Sequence, residues 1–234
     1  MSAGESAMAD TVFNTARTAR TALLVIDMQR DFLDPRGYAA HAGLDVVRLR
    51  SVIPPVQALL AAARRCGMWV IFTREGHRPD LSDCPPVKRA RSRAAHAEIG
   101  TPGPLGRLLV RGEYGHDLLD EMQAGADELV IDKPGYSAFH RTDLHQVLQQ
   151  AAIETLIVCG VTTEVCVHST VRAATDLGYH CIVVGDACAA SQPELQGPAL
   201  AMMAVEGGIF GQAMDHAALL ARLPEVADTG RMKT

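Results

Sequence analysis

The sequence lacks the features that direct proteins to nucleic acid, to a membrane or to an oxidising compartment. Its formal net charge is −5, whereas nucleic-acid-binding domains usually carry a basic patch. No apolar run approaches the roughly 20 residues that a membrane-spanning helix needs, and the N-terminus has no signal-peptide core. Six cysteines without regular spacing indicate free thiols rather than a disulfide framework. We therefore expect a cytoplasmic protein without nucleic-acid or membrane partners.

Two further patterns are missing. The first predicted strand continues into DMQRDF, which begins at Asp27, without the G-x-G-x-x-G fingerprint of dinucleotide-binding folds. A Rossmann-like binding protein without catalysis therefore remains only as an alternative. A redox thiol protein is another alternative, but Cys159 and Cys166 do not have the C-x-x-C spacing of such proteins.

Apolar runs with the length of buried strands alternate with helical patterns along the chain. We expect strands at residues 22–26, 68–72, 128–131, 156–159, 180–184 and 209–210. Regular alternation of strands and helices predicts an α/β fold with a parallel, doubly wound sheet. A length of 234 residues suits one such domain with a full hydrophobic core.

The predicted domain has no internal repeat and no clean internal boundary. We expect a flexible N-terminal tail over residues 1–20, a single domain over 21–225 and a C-terminal tail over 226–234. Residues 78–112 are rich in Pro, Gly and Arg and show no clear periodicity. Such a segment indicates a functional loop, a lid or an interface, the alternative being a solvated basic loop.

The stretch TLIVCGVTTEVCVHSTVRAATDLG, residues 155–178, predicts a strand, a tight turn and a helix. Cys166 falls in the first turn of that helix, at the carboxyl end of a parallel strand, where ligands bind in open α/β sheets. Unpaired backbone N–H groups and the helix dipole lower the pKa of a thiol there. Cys166 is therefore the candidate nucleophile, although most cysteines, among them Cys159, Cys181 and Cys188, are small core residues.

Three predicted strands end on or beside the reactive groups of Asp27, Lys133 and Cys166. A carboxylate beside a thiol can act as general base while sulfur attacks a carbonyl. A lysine between the two holds the thiolate and the carboxylate by charge. The backbone N–H groups of Thr162 and Cys166 are candidates for an oxyanion hole.

Three motifs carry a resemblance to the isochorismatase-like cysteine hydrolases: VIDMQRDF (residues 25–32), DKPGYSAF (132–139) and GVTTEVCVHST (160–170). The resemblance runs in order from about residue 22 to residue 211. It implies a catalytic triad of Asp27, Lys133 and Cys166 and a three-layer α/β/α fold with a six-stranded, mostly parallel sheet. It also implies a cis peptide bond between Val161 and Thr162, and a homo-oligomer, frequently a tetramer.

Within this family, the nicotinamidases carry zinc on an Asp and two His after the second strand. Here TREGHRPDL offers His77 without a second histidine in the same loop, so we expect no metal and no other cofactor. The members that act on vinyl ethers without covalent catalysis have an acid where Cys166 stands. Residues 73–83, 88–92 and 102–117 resemble the biuret hydrolases most, and the ureidoacrylate amidohydrolases less.

The resemblance also implies three substrate contacts. Gln29 and Phe32 fall where the family places substrate-contacting residues, and Glu206 stands where biuret hydrolases have a glutamine before a Gly-Gly pair. We hypothesise that Glu206 shifts preference toward triuret. The predicted function is a cysteine-dependent amidohydrolase that cleaves the terminal C–N bond of a biuret- or triuret-type compound through a thioester, releasing ammonia. The alternative is a ureidoacrylate or N-carbamoyl amino acid amidohydrolase.

Overall fold

The computed structural model describes residues 15–224, so residues 1–14 of the predicted N-terminal tail and all of the predicted C-terminal tail lie outside the described residues. Eight strands are present in this part of the chain: β1 Thr21–Ile26, β2 Trp69–Glu75, β3 Pro102–Gly103, β4 Gly106–Arg107, β5 Leu129–Lys133, β6 Thr155–Val161, β7 His180–Ala189 and β8 Gln212–Met214. Strands β3 and β4 form a small antiparallel hairpin. The other six form one parallel sheet in the order β5-β2-β1-β6-β7-β8.

Helices cover the two faces of this sheet, which gives the three-layer α/β/α architecture that the sequence predicts. The helices are α1 Thr15–Thr18, α2 Arg30–Leu33, α3 Tyr38–His41, α4 Val46–Arg50, α5 Ile53–Arg65, α6 Pro86–Ala94, α7 Leu144–Gln150, α8 His168–Asp176, α9 Pro193–Met203, α10 Val205–Gly208 and α11 His216–Leu220. Helices α5, α6 and α9 have proline in the first turn, where its missing N–H costs nothing. The long helix α5 packs on β1 and β2, whereas α8 packs on β7.

The order of the strands sets the place of the site. The chain runs outward from β1 through β2 to β5, and it then returns to β6 on the other side of β1. The strand order therefore reverses between β1 and β6. In open α/β sheets, the crevice outside the carboxyl ends of the strands at such a switch point is the ligand site. Every residue of β1 and β6 is buried, as expected for central parallel strands.

Residues Val46–Arg65 are the one helical stretch of the described chain with the length and apolar composition of a membrane span, although the sequence did not single it out. Half of its most apolar window is buried inside the protein. Val56, Leu59, Leu60 and Ala63 face the sheet and belong to the main hydrophobic core. A core helix of a folded domain accounts for this composition.

The structure differs from the predicted elements in two places. The last strand is β8, not residues 209–210, because Ile209 is exposed and the Phe210 ring lies 4.1 Å below the guanidinium of Arg172. Residues 78–112 are not a featureless loop, since they contain α6 and the β3–β4 hairpin. Within the predicted N-terminal tail, residues 15–18 form α1, and the domain boundaries stay a prediction.

Candidate active site

The structure brings the three predicted reactive residues together at the carboxyl edge of the sheet. Asp27 follows β1, Lys133 ends β5, and Cys166 lies in the irregular turn after β6. The Lys133 ammonium is 2.8 Å from Asp27 Oδ2 and 3.5 Å from Cys166 Sγ. Asp27 and Lys133 are fully buried, and Cys166 is 4% exposed. A thiol, a carboxylate and an ammonium group thus share one buried site.

Asp27 is held in place by the neighbouring strand. Its backbone has φ +51, a left-handed conformation that aspartate tolerates better than most residues. The Thr73 hydroxyl of β2 donates a hydrogen bond of 2.7 Å to Asp27 Oδ1. The Asp27 N–H in turn donates to Thr73 O at 3.2 Å. These contacts turn the carboxylate out of the strand and leave Oδ2 for Lys133.

The turn that carries Cys166 depends on Gly160. This glycine has φ +116, and a Cβ there would lie 2.1 Å from the carbonyl oxygen of Ile26. Any side chain would therefore separate β6 from β1 at the edge where the site forms. The Val161–Thr162 peptide bond is cis, as predicted, and a single π-helical turn, Thr163–Val167, precedes α8. The oxyanion-hole role of Thr162 and Cys166 stays a prediction.

A second carboxylate, which the sequence did not single out, lies beside the thiol. Glu75 is the last residue of β2, and its Oε2 atom is 3.2 Å from Cys166 Sγ and 3.3 Å from Lys133 Nζ. It is 3% exposed. The predicted strand ended at residue 72, whereas β2 continues to Glu75. The signal was available, because Glu75 is an acid at the carboxyl end of β2, beside β1, just as Asp27 is an acid directly after β1.

Lys88 is the partner of Glu75 and comes from α6. Its ammonium lies 2.6 Å from Glu75 Oε1 and donates to the Pro134 carbonyl at 2.7 Å. It also lies 4.9 Å from the centre of the Tyr136 ring. The basic segment 78–112 therefore contributes one buried lysine to the site and is not only a solvated loop.

The electrostatics of the cluster distinguish the two carboxylates. Burial raises the pKa of Asp27 above its ordinary value, although Lys133 opposes this. Burial acts in the same direction on Glu75, but the charges of Lys88 and Lys133 outweigh it and hold the pKa of Glu75 at about 2. Asp27 is consequently the better proton acceptor of the two.

Burial dominates the electrostatics of the thiol. Burial raises the pKa of Cys166 well above its ordinary value, and Lys133 offsets this only in part. The sequence-based expectation of a lowered thiol pKa is therefore wrong for the resting site, because desolvation outweighs the helix terminus. The pKa of Lys133 lies above its ordinary value, since Asp27, Cys166 and Glu75 together outweigh its burial. Asp27, whose pKa is also raised, is a nearby acceptor for the thiol proton.

The predicted substrate contacts are placed differently. Gln29 is fully buried, and its amide bonds to the backbone: Nε2 donates to Glu75 O at 3.0 Å and to His116 O at 2.7 Å, and Oε1 accepts from Glu75 N at 2.6 Å. Gln29 therefore positions the end of β2, and its predicted contact with the substrate stays a prediction. Phe32 is 7% exposed and packs edge-on against Tyr38 at 5.8 Å between ring centres. Burial raises the pKa of Tyr38 above its ordinary value, and the negative charge of Glu75 acts in the same direction.

Glu206 is exposed within α10 and has φ +52. It does not lie in a regular helix, because α9 already ends at Met203 and the chain kinks at Glu206 and Gly207. Among residues 15–224, the structure shows no contact between Glu206 and the thiol cluster. Its role in specificity stays a prediction.

Asp27, Glu75 and Cys166 have the only ligand geometry for a metal ion within the described residues, with their ligand atoms inside 4.8 Å of one another. The Lys133 ammonium lies among these atoms and already supplies the positive charge. A metal ion would have to displace it. His77 is buried and lies 3.3 Å from Asp83 Oδ1, away from this group.

Comparison with known proteins gives consistent results. An isochorismatase domain model matches residues 21–218. The ureidoacrylate amidohydrolase RutB of Serratia proteamaculans is 35% identical over 185 residues, covering 74% of this chain and 71% of that protein. The RutB of Pantoea ananatis is 35% identical over 186 residues, covering 75% and 71%. The crystal structure of a cysteine hydrolase from Pseudomonas syringae pv. phaseolicola is 30% identical with a TM-score of 0.75, and the match covers 91% of this chain and 94% of that one.

Proposed function

The chain belongs to the isochorismatase family and is an amidohydrolase of it, and we propose that its substrate is a small ureido compound. The observation that carries the proposal is the buried cluster in which the Cys166 thiol lies against Lys133 and between two carboxylates. Asp27, Lys133 and Cys166 are the proposed catalytic residues. The cytoplasmic location and the homotetramer stay predictions.

In the first half of the reaction, Cys166 Sγ attacks the substrate carbonyl carbon as its proton passes to Asp27. Asp27 is the acceptor because its pKa is raised while that of Glu75 is held at about 2. Thr162 and Cys166 are the proposed backbone donors to the oxyanion. As the C–N bond breaks, the proton on Asp27 passes to the departing nitrogen, which leaves as ammonia or an amine and a thioester remains on Cys166.

In the second half, water attacks the thioester and gives one proton to Asp27. The C–S bond breaks, and the proton returns from Asp27 to the sulfur. Lys133 keeps its charge throughout, because its pKa lies above its ordinary value. It stabilises whichever of the two groups, carboxylate or thiolate, is negative at each stage. The enzyme ends in its starting protonation state.

Ureidoacrylate and related N-carbamoyl acids are the substrates that we propose first, because the named relatives are ureidoacrylate amidohydrolases. Biuret, the substrate predicted from the sequence, is the second candidate. Biuret is favoured because both ammonium groups near the thiol are already paired. Lys88 pairs with Glu75, and Lys133 pairs with Asp27 and Glu75. Within the described residues, neither of these cations is left for a substrate carboxylate, which favours an uncharged ureido compound.

The test is a panel of ureidoacrylate, N-carbamoyl-β-alanine, biuret, triuret and nicotinamide, with product identification by mass spectrometry. We expect turnover of a ureido compound and a covalent adduct on Cys166 in rapidly quenched reactions. An enzyme that hydrolysed only nicotinamide, or that formed no adduct on Cys166, would contradict the proposal. The ratio of kcat/KM for ureidoacrylate and biuret decides between the two candidates.

A further inference from the structure

The reaction needs one general base, yet the thiol has two carboxylates beside it. Asp27 serves as the base, and Glu75 Oε2 is 3.2 Å from Sγ without a step assigned to it. Burying an ionised carboxylate beside a nucleophile is costly unless it is paired. The protein supplies that pairing with Lys88, itself buried on α6. A charged group retained at this distance from the reacting atom is placed to contact the substrate.

A ureido carbon differs from an ordinary carboxamide carbon in a way that two carboxylates can recognise. It carries nitrogen on both sides, whereas a carboxamide carries one nitrogen and one carbon. One nitrogen leaves and takes its proton from Asp27. From the position of Glu75 we infer that this residue accepts a hydrogen bond from the other, retained nitrogen and thereby selects ureido compounds over carboxamides. The inference rests on the proposed function and names a specificity-determining residue for it.

The change in hydrogen bonding during the reaction supports this role. In the resting site the thiol donates to Glu75 Oε2. When the proton has moved to Asp27 and sulfur has bonded to carbon, that donor is gone. An N–H on the retained nitrogen replaces it with a charge-assisted bond, whereas a CH₂ or CH₃ at the same position leaves the buried Oε2 atom with Lys133 as its donor and one acceptor position unfilled. We expect a preference of roughly 10- to 100-fold in kcat/KM for the ureido member of a matched pair.

Lys88 acts through Glu75 and is a positioning residue. It keeps the carboxylate ionised, so that Oε2 can accept from a substrate N–H as well as from Lys133. The hydrogen bond to the Pro134 carbonyl and the contact with Tyr136 fix the ammonium from the opposite side. The other basic residues of α6, Arg89, Arg91 and Arg93, are exposed. Lys88 is therefore the basic residue of α6 that contacts the active-site cluster, through its ion pair with Glu75.

The test uses substrate pairs that differ only at the retained nitrogen. Malonamide is biuret with CH₂ in place of the central NH, and 3-acetamidoacrylate is ureidoacrylate with CH₃ in place of the terminal NH₂. The pair is chosen by whichever ureido compound the wild type hydrolyses. Its kcat/KM ratio is measured for the wild type and for two double variants. Glu75→Gln/Lys88→Met removes one charge of each sign and keeps an acceptor, and Glu75→Leu/Lys88→Met removes the acceptor as well.

We expect the wild-type preference to fall toward 1 in Glu75→Leu/Lys88→Met and to stay within about threefold in Glu75→Gln/Lys88→Met. Arg91→Met, an exposed substitution on the same helix, is the matched control and keeps the wild-type ratio. If kcat/KM of the leucine variant fell equally for both substrates of the pair, Glu75 would have only a structural role and the inference would be overturned.

If the leucine variant does not fold, the wild type still provides a test, since equal kcat/KM values for the two members of the pair overturn the inference without any variant. Absence of turnover for every ureido compound contradicts the proposed function instead, so the two failures are distinguishable.

Discussion

Cys159 and Cys166 lie on the same strand–turn–helix unit, seven residues apart, and both are buried. Burial raises the pKa of each thiol well above its ordinary value. The Cys159 sulfur, in the middle of the sheet, lies 4.0 Å from the carbonyl of Leu24. The Cys166 sulfur, at the carboxyl edge, lies within 3.5 Å of both an ammonium and a carboxylate.

Burial by itself therefore makes a thiol inert. The cysteine at the sheet edge differs because a neighbouring carboxylate with a raised pKa can take its proton while two lysines balance the charge. The middle of the sheet offers apolar neighbours and backbone carbonyls, which stabilise the neutral thiol. The difference between a core residue and a proposed nucleophile lies in the charges around the sulfur.

Removing the two thiols in turn tests this comparison with the largest expected effect on kcat. Cys166→Ala should abolish turnover, with kcat reduced about 10⁴-fold or more, because the covalent pathway is lost. Cys159→Ala should retain activity within about threefold, since it removes only one buried sulfur far from the charges. Steady-state assays with thermal melts check both. Retained activity in Cys166→Ala, or faster iodoacetamide labelling of Cys159, would contradict the assignment.

Asp27→Asn removes the proton acceptor and keeps the size of the side chain. We expect a loss of about 10²- to 10⁴-fold in kcat, the usual contribution of a general base. Alkylation of Cys166 should also slow, because the thiol loses its internal acceptor. Asp80→Asn, an exposed acid in a turn, serves as the control. If Asp27→Asn kept the wild-type kcat, another residue would have to be the general base, and Glu75 would be the next candidate.

Lys88→Met tests the charge balance through the pH profile. The pKa of Glu75 is held at about 2, below its ordinary 4.5, by Lys88 and Lys133. Loss of Lys88 raises this pKa, so Glu75 takes up a proton at higher pH. The acidic limb of the kcat/KM profile therefore shifts to higher pH. The stabilisation that comes from the depressed pKa is present above 4.5 and is lost as pH falls toward 2. An unchanged acidic limb would show that Glu75 does not titrate with activity.

Glu206→Gln should have a small effect, about twofold, on kcat/KM for both biuret and triuret, because the side chain is exposed. The sequence-based hypothesis predicts a selective loss on triuret instead. A decrease in kcat/KM for triuret alone would therefore indicate that Glu206 contacts the substrate and would support that hypothesis. Glu194→Gln, another exposed acid on the preceding helix, controls for the change in surface charge.

Chelation should have the smallest effect of all. The sequence predicts no metal, and Lys133 supplies the cation among the three ligand-type atoms of the cluster. We expect full activity after prolonged treatment with EDTA and no stoichiometric zinc in metal analysis. Inactivation by EDTA that added zinc reverses would contradict the prediction.

Local sequence patterns predicted the central strands of the sheet and three of the reactive groups. The apolar runs of β1 and β6 are buried on both faces, which is a local property of composition. Asp27, Lys133 and Cys166 each follow or end a strand of this kind, and parallel strands bring such ends to one edge. The site was predictable from the sequence to the extent that it depends on this regular geometry.

The rest of the cluster depends on contacts between elements that are far apart in the sequence. Nothing in the arginine-rich sequence of α6 distinguishes Lys88, because burial of a charge depends on the partner that meets it. Glu75 and Lys88 belong to different elements, and the amide of Gln29 finds its acceptors on Glu75 and His116, far along the chain. The pKa of Cys166 was likewise set by desolvation, which arises from packing by residues distant in sequence and not from the local helix start.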